Sequence, residues 1–200
     1  MSKIQVDTID TRSGTATMQI GSTNTSTINL GVSGDTVNIP SGVTIANAGT
    51  ATGFGESNTP YFKAYTSGST QQANSGAYLD PVAFATEYTD SDGAFSSNVF
   101  TVPSGKGGKY FFHTQIQFIQ NMYDCYLLMV KNSTNVLVQR QKRQSDSSLW
   151  YSRALSLSGI IDMAAGDTMK VKVYAETGDS QYNIEASETQ NYFEGFRIAT

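Results

Sequence analysis

Over residues 59–200, apolar and polar positions repeat with a period of two, and no stretch sustains the 3.6-residue period of an amphipathic helix. From Lys109 to Gln120, Phe112, Thr114, Ile116 and Phe118 alternate with His113, Gln115 and Gln117, the pattern of a strand with one buried and one wet face. Met169-Lys170-Val171-Lys172-Val173-Tyr174 alternates in the same way, and Val99–Val102 and Tyr192–Ile198 are rich in β-branched and aromatic residues. Turn formers fall between these runs: Pro103, Gly105, Gly107 and Gly108; Asp92-Gly93; Asn132-Ser133-Thr134-Asn135; Ala164-Ala165-Gly166-Asp167. The pattern predicts strands at Tyr61–Thr66, Ala77–Phe84, Val99–Val102, Lys109–Gln120, Asp124–Lys131, Val136–Gln144, Trp150–Leu157, Thr168–Glu176, Gln181–Glu185 and Tyr192–Ile198. So many strands in one domain of ordinary size make a two-sheet sandwich, an all-β jelly roll.

Residues 13–58 read differently. Between Ser13 and Gly55, Asp35 is the only charge and Phe54 the only aromatic. Apolar doublets recur at Met18/Ile20, Ile28/Leu30, Val37/Ile39 and Val43/Ile45, separated by Gly21, Gly31, Gly34, Gly42 and small polar residues. Each doublet predicts a short strand followed by a turn. Within one chain, a few aliphatic side chains per repeat do not offset about 1–2 kcal/mol of backbone entropy per residue. Three chains wound about a common axis share one interior, so the pattern predicts an N-terminal trimeric β-repeat stem, with residues 49–58 as its neck. The alternative is a low-complexity linker. Residues 1–12 form a separate alternating segment with Ile4, Val6 and Ile9 on its apolar side. It is too short to bury that side alone and predicts a peg that docks on a partner surface.

Composition narrows the class. The chain has 200 residues, 15% of them charged, and a net charge of -4. The charged fraction is well under the usual quarter, and Ser, Thr, Asn, Gln and Gly fill the gap, as on extracellular or virion β proteins. The acidic balance argues against nucleic acid as a partner, because phosphate binding needs clustered Lys and Arg. Arg140-Gln141-Lys142-Arg143 is locally basic and reads as a solvated strand edge or loop. Cys125 is the only cysteine, so there is no intrachain disulfide, and its neighbours Tyr126, Leu127 and Leu128 predict a small buried hydrophobe. No run reaches the length of a membrane span, and the N-terminus lacks a signal-peptide core. The expectation is therefore no membrane insertion, and release with a particle by lysis rather than by secretion.

Candidate chemistry is sparse. His113 is the only histidine, which excludes a multi-histidine zinc site within one chain and predicts a polar strand position. Carboxylate pairs suited to sugar cleavage are Asp90/Asp92 and Glu185/Glu188, in predicted loops. Asp90-Ser91-Asp92-Gly93 reads more simply as a turn, though it echoes oxygen-ligand calcium loops without their closing Glu. Calcium is thus the one cofactor left open, and no residue is assigned as a metal ligand. Ser104-Gly105-Lys106-Gly107-Gly108 lacks phosphate-loop spacing. Exposed aromatics beside amides and hydroxyls suit receptor contact, which singles out Trp150 and Tyr151, and Asn121 with Tyr123 in another loop. Trp150 and Tyr151 fit equally well in the core or at a subunit interface.

Several of these runs together carry a resemblance. Phe100-Thr101-x-Pro103 and Gly108-Lys109-Tyr110-Phe111-Phe112 resemble the F-T-x-P-x-x-G-K-Y-x-F signature of complement q-subcomponent heads, a family of tumour-necrosis-factor-like jelly rolls. Gly159 to Val171 is similar to its G-x-x-D-L-x-x-G-D-x-V-x-V signature, and Tyr192-Phe193-Glu194-Gly195-Phe196 to its closing motif. Tyr61-Phe62-Lys63-Ala64-Tyr65 resembles its opening strand, while Pro103 to Tyr110 is longer than the usual hairpin and no collagen-like stalk is present. The stem and the opening Met1–Ile9 resemble tail and head fibres of tailed bacteriophages. The resemblance implies a homotrimer and a non-enzymatic virion fibre. Ile4, Val6 and Ile9 would then dock on phage tail or capsid proteins, and the head would bind a host-surface glycan or protein, in a tail fibre. The alternatives are a capsid decoration protein or head fibre, a polysaccharide depolymerase and a secreted bacterial adhesin.

Overall fold

The computed structural model describes residues 20, 26–46, 58–142 and 153–198. The chain separates into two units, residues 1–51 and 52–200. The predicted peg at 1–12, with Ile4, Val6 and Ile9, lies outside the described residues, as do Trp150 and Tyr151.

In the first unit, residues 26–46 form turns at 33–34 and 41–42 and no strand. The Asp35 N–H donates to the Val32 carbonyl at 2.9 Å, and its carboxylate accepts the Val32 N–H at 2.9 Å. The only charge of the segment is thus spent on a turn. Gly31, Gly34 and Gly42 take φ of +92°, +96° and +85°, the left-handed conformation the turns require. The turns predicted at Gly34 and Gly42 are present, whereas Met18 and Gly21 lie outside the described residues, and the strands expected at Ile28/Leu30, Val37/Ile39 and Val43/Ile45 do not form in one chain. A strand needs a partner for its N–H and C=O groups, and the described residues offer none here. Ile28, Leu30, Val32, Val37, Ile39, Val43 and Ile45 remain 45–77% exposed.

The second unit is a sandwich. Among the described residues its strands are β1 (Tyr61–Tyr65), β2 (Gln71–Asn74), β3 (Ala77–Leu79), β4 (Thr86–Asp90), β5 (Phe95–Ser96), β6 (Val99–Thr101) and β7 (Gly108–Phe118), then β8 (Met122–Lys131), β9 (Thr134–Lys142), β10 (Arg153–Met163), β11 (Thr168–Thr177), β12 (Gln181–Ile184) and β13 (Tyr192–Arg197). One sheet runs β2-β12-β7-β13-β1-β4, with β10 on the other edge of β7. The second runs β5-β6-β11-β8-β9, with β3 also on β11. All pairs are antiparallel.

The alternation read from the sequence sets which side chains enter the core. Tyr110, Phe112, Thr114, Ile116 and Phe118 of β7 point inward, as do Met169, Val171, Val173 and Ala175 of β11. Phe62 lies at the centre of an aromatic cluster, stacked on Phe95 at 5.0 Å and Phe100 at 4.8 Å and edge-on to Phe193 at 4.9 Å. Each such pair adds about 0.5–1.5 kcal/mol beyond its buried area. The buried Tyr110 and Tyr182 keep their hydroxyls satisfied by donating to the carbonyls of Lys106 at 2.6 Å and Ala77 at 3.0 Å. Cys125 is buried, as expected from its neighbours.

Four strand expectations need correction. Ala77–Phe84 stops at Leu79, because Pro81 has no N–H for a ladder, and Val82 instead donates to Val171 across a loop. Met122 and Tyr123, read as loop, open β8. Gly159 to Met163, beyond the predicted strand end at Leu157, belongs to β10, which pairs with β7 along its whole length. Short strands β2, β4 and β5 were not predicted, since Gln71–Asn74 and Thr86–Asp90 have little apolar content to reveal them.

Candidate interaction surface

The register of β1, β13, β7 and β10 aligns their outward side chains in rows. Tyr61, Phe196, Phe111 and Ile160 are cross-strand partners in sequence, forming an apolar row over four strands. Ile160 is 61% exposed, and the Phe111 and Phe196 rings lie 5.4 Å apart. One step along the strands, Lys63, Glu194, His113 and Ser158 form a polar row. The next row is Tyr65, Tyr192, Gln115 and Ser156.

The polar row is tied together. Glu194 accepts from Lys63 at 3.1 Å through one carboxylate oxygen and meets His113 Nδ1 at 3.1 Å through the other. His113 Nε2 lies 3.0 Å from Ser156 Oγ. Tyr192 supports both ends, with its ring 4.8 Å below the Lys63 ammonium and edge-on to the imidazole at 5.3 Å. The sole histidine thus sits at a strand position, as the alternation predicts, but inside a hydrogen-bonded chain that the alternation does not show.

A serine, a histidine and a carboxylate in line raise the question of nucleophilic catalysis. Neither cavity described below is lined by His113 or Ser156, and Ser156 lies exposed in mid-strand. A substrate there would be neither enclosed nor desolvated, conditions that acyl transfer depends on. What the contacts do show is that Lys63, Glu194, His113 and Ser156 hold one another in fixed positions on the outer side of the sheet.

The face ends in two grooves beside the edge strand. One is lined by Lys63, Tyr65, Tyr88, Glu188 and Thr189, and the other by Tyr61, Tyr88, Phe111, Glu194 and Phe196 among others, each of about 340 Å³. Between Lys63 and Ala64 the β1–β4 register shifts, so that Lys63 faces Thr89 and Ala64 faces Glu87. Tyr88 is the extra residue of this bulge, which leaves it 75% exposed. Glu188 and Thr189 stand on a loop held from beneath by buried Asn191, whose amide donates to the Glu185 carbonyl at 2.6 Å and whose oxygen accepts the Gln117 N–H. Thr66, also buried, accepts the Ser187 N–H at 3.1 Å.

The second sheet carries its own row: Tyr78, Tyr174, Tyr126 and Arg140 are successive cross-strand partners. Arg140 holds the buried Asp124 with two hydrogen bonds and lies 4.9 Å over Tyr126, and Lys172 lies 4.6 Å over Tyr78. Its hydrogen bonds to Asp124 push the guanidinium further above its ordinary range. The basic cluster read as a strand edge is therefore in part an ion pair on edge strand β9.

Of the predicted receptor residues, Asn121 lies between β7 and β8 with its side-chain oxygen buried. Tyr123 is half exposed, with its ring over Gly178. Neither belongs to the aligned rows. Asp90 accepts the N–H groups of Ala94 at 3.0 Å and Phe95 at 2.8 Å, so it closes a turn rather than facing Asp92 across a substrate. Among the described residues no three His, Cys, Asp or Glu side chains come together as a metal site. The residues that sequence reasoning missed are Tyr61, Phe111, Ile160 and Phe196. A signal existed: Phe111 shares the parity of His113, Gln115 and Gln117, an aromatic on the wet side of a strand.

No family model matches the chain, and no curated protein matches it. Similarity appears among solved structures. The globular domain of zebrafish complement 1qA covers 70% of this chain and 98% of its own, at 17% identity and a TM-score of 0.49. Murine APRIL covers 70% and 98%, at 8% identity and a TM-score of 0.53. The Eiger TNF of S. frugiperda covers 70% and 94%, at 12% identity and a TM-score of 0.52. The fold shared with the mouse and insect proteins is the tumour-necrosis-factor-like jelly roll, and the described strands from β1 to β13 adopt it, the all-β sandwich that the alternation predicts.

Proposed function

We propose that this protein is a homotrimeric, non-enzymatic binding fibre, with a jelly-roll head on a stem that closes only when three chains share it. The observation that carries this reading is the run of aliphatic side chains from Ile28 to Ile45, left exposed by their own chain. Burying that surface stabilises association at roughly 25 cal/mol per Å² of apolar area. The aligned apolar row Tyr61–Phe196–Phe111–Ile160 on the head supports the same reading, since a contiguous exposed apolar patch marks an interaction site. A fold shared with tumour-necrosis-factor-type proteins, and a stem resembling phage fibres, support a virion fibre that attaches to the host surface through its head. On this reading the 1–12 peg docks on a phage tail or capsid protein.

Sedimentation equilibrium of the full chain tests the assembly. The expected mass is three times the 21.6 kDa of one chain, and a monomer at all concentrations overturns the reading. Gold-labelled antibody on particles tests the setting: label on the tail supports host attachment, and label over the capsid makes the protein a decoration or head fibre instead.

A further inference from the structure

We infer that the groove between Tyr65 and Tyr88 is a binding site for a neutral pyranose sugar. The inference rests on the reading of the head as a binding module and names the ligand class and the residues that take it.

The walls set the chemistry. Two tyrosine rings supply apolar faces, and the bulge in β4 pushes one of them, Tyr88, out beside Lys63. Such faces suit the C–H patch on one side of a sugar ring. The polar lining is complementary in hydrogen-bonding sense. Lys63 only donates, the Glu188 carboxylate only accepts, and the Thr189 hydroxyl does both. Vicinal sugar hydroxyls, which donate and accept, satisfy all three at once. The groove volume of about 340 Å³ lies in the range of small-molecule sites, roughly 300–1,000 Å³.

Charge selects against other occupants. Lys63 is already matched by Glu194 at 3.1 Å, so Glu188 leaves the site with a negative balance that disfavours a sugar acid. An apolar ligand would leave the ionic groups unsolvated and unpaired. The site is also preformed. Tyr192 and Glu194 hold the Lys63 ammonium, while Asn191 and Thr66 anchor the loop that presents Glu188 and Thr189. A preformed site loses less ordering entropy on binding.

The test is saturation-transfer NMR on the full-length protein with methyl glycosides of glucose, galactose and mannose and with sialic acid, each at about 10 mM, a concentration suited to millimolar affinity. The expected result is transfer to ring protons of at least one neutral glycoside and not to sialic acid. Tyr88→Ala weakens that binding about tenfold or more, while Tyr88→Phe retains it. Tyr88 is exposed, so neither change threatens the fold, and the melting curve of each variant checks this. Absence of transfer from every neutral glycoside, preference for sialic acid, or undiminished binding by Tyr88→Ala overturns the inference. The assembly is read separately by mass. All lining residues named belong to one chain, so a monomer that binds sugar refutes the trimer alone, and a trimer that does not refutes the sugar site alone.

Discussion

Gly195 illustrates how a single hydrogen atom holds the contact face in place. It lies on the inner side of β13, where a Cβ would come within 2.5 Å of the Phe112 ring and 3.0 Å of the Phe111 carbonyl. Neither neighbour can retreat, because the ring is packed in the aromatic cluster and the carbonyl belongs to a strand. Gly195→Ala is expected to destabilise the head by about 1–3 kcal/mol, read as a lower denaturation midpoint. Gly178 is the contrast: its crowding comes from the hydroxyl at the far end of the Tyr123 side chain, at 2.5 Å, rather than from a packed ring and a strand carbonyl. Gly178→Ala is expected to stay within about 0.5 kcal/mol of the parent. Asp167 adds a pH dependence. Hydrogen bonds from Asn132 at 2.9 Å, Lys131 at 2.8 Å and the Ala164 N–H at 2.8 Å lower its pKa from 3.8 to about 2. The folded pKa lies below the unfolded one, so this contribution is whole above about pH 4 and is lost as pH falls through about 2. Asp167→Asn should therefore be less stable than the parent at neutral pH, and the gap in urea midpoint should close between pH 4 and 2. A gap that persists at pH 2 would refute the assignment.

At the level of strands, what matters is which outward residues become neighbours. Rows on the first sheet join β1, β13, β7 and β10, segments far apart in sequence. Replacing Ile160 with Asp puts a carboxylate beside Phe111 in the apolar row, and desolvating it in an assembly is costly. Self-association of the full chain is expected to weaken at least tenfold, about 1.4 kcal/mol, with the far-UV circular dichroism spectrum unchanged. Ile160→Val should leave association intact. Unaltered dilution behaviour in Ile160→Asp would remove this row from the interface. Much at this scale was legible beforehand. The inward set of β7 and β11 follows from alternation, and the Ala164–Asp167 turn from its residue types. β2 and β4 were not legible: strands as polar as Gln71–Asn74 exist because neighbours pair with them, and local composition does not record that.

For the molecule as a whole, the proposed stem, folding only when chains share it, would make stability depend on concentration. The melting temperature of the full chain should rise with protein concentration, as mass action requires when folding and association are coupled. A midpoint independent of concentration, together with a monomeric mass, would contradict the trimer. The Ile28–Ile45 aliphatics illustrate the division between sequence and structure: their spacing and the glycine turns between them were plain in the sequence, whereas the strands they were expected to form are absent from a single chain. By itself the sequence determined the all-β class, the inward parity of each long strand and the change in composition between stem and head, because these are properties of neighbouring residues. The tertiary structure decided that Lys63, Glu194, His113 and Ser156 form one hydrogen-bonded chain and that a bulge sets Tyr88 beside Lys63. Those contacts depend on the register between distant strands, and a one-residue slip, which leaves every local pattern intact, would abolish them.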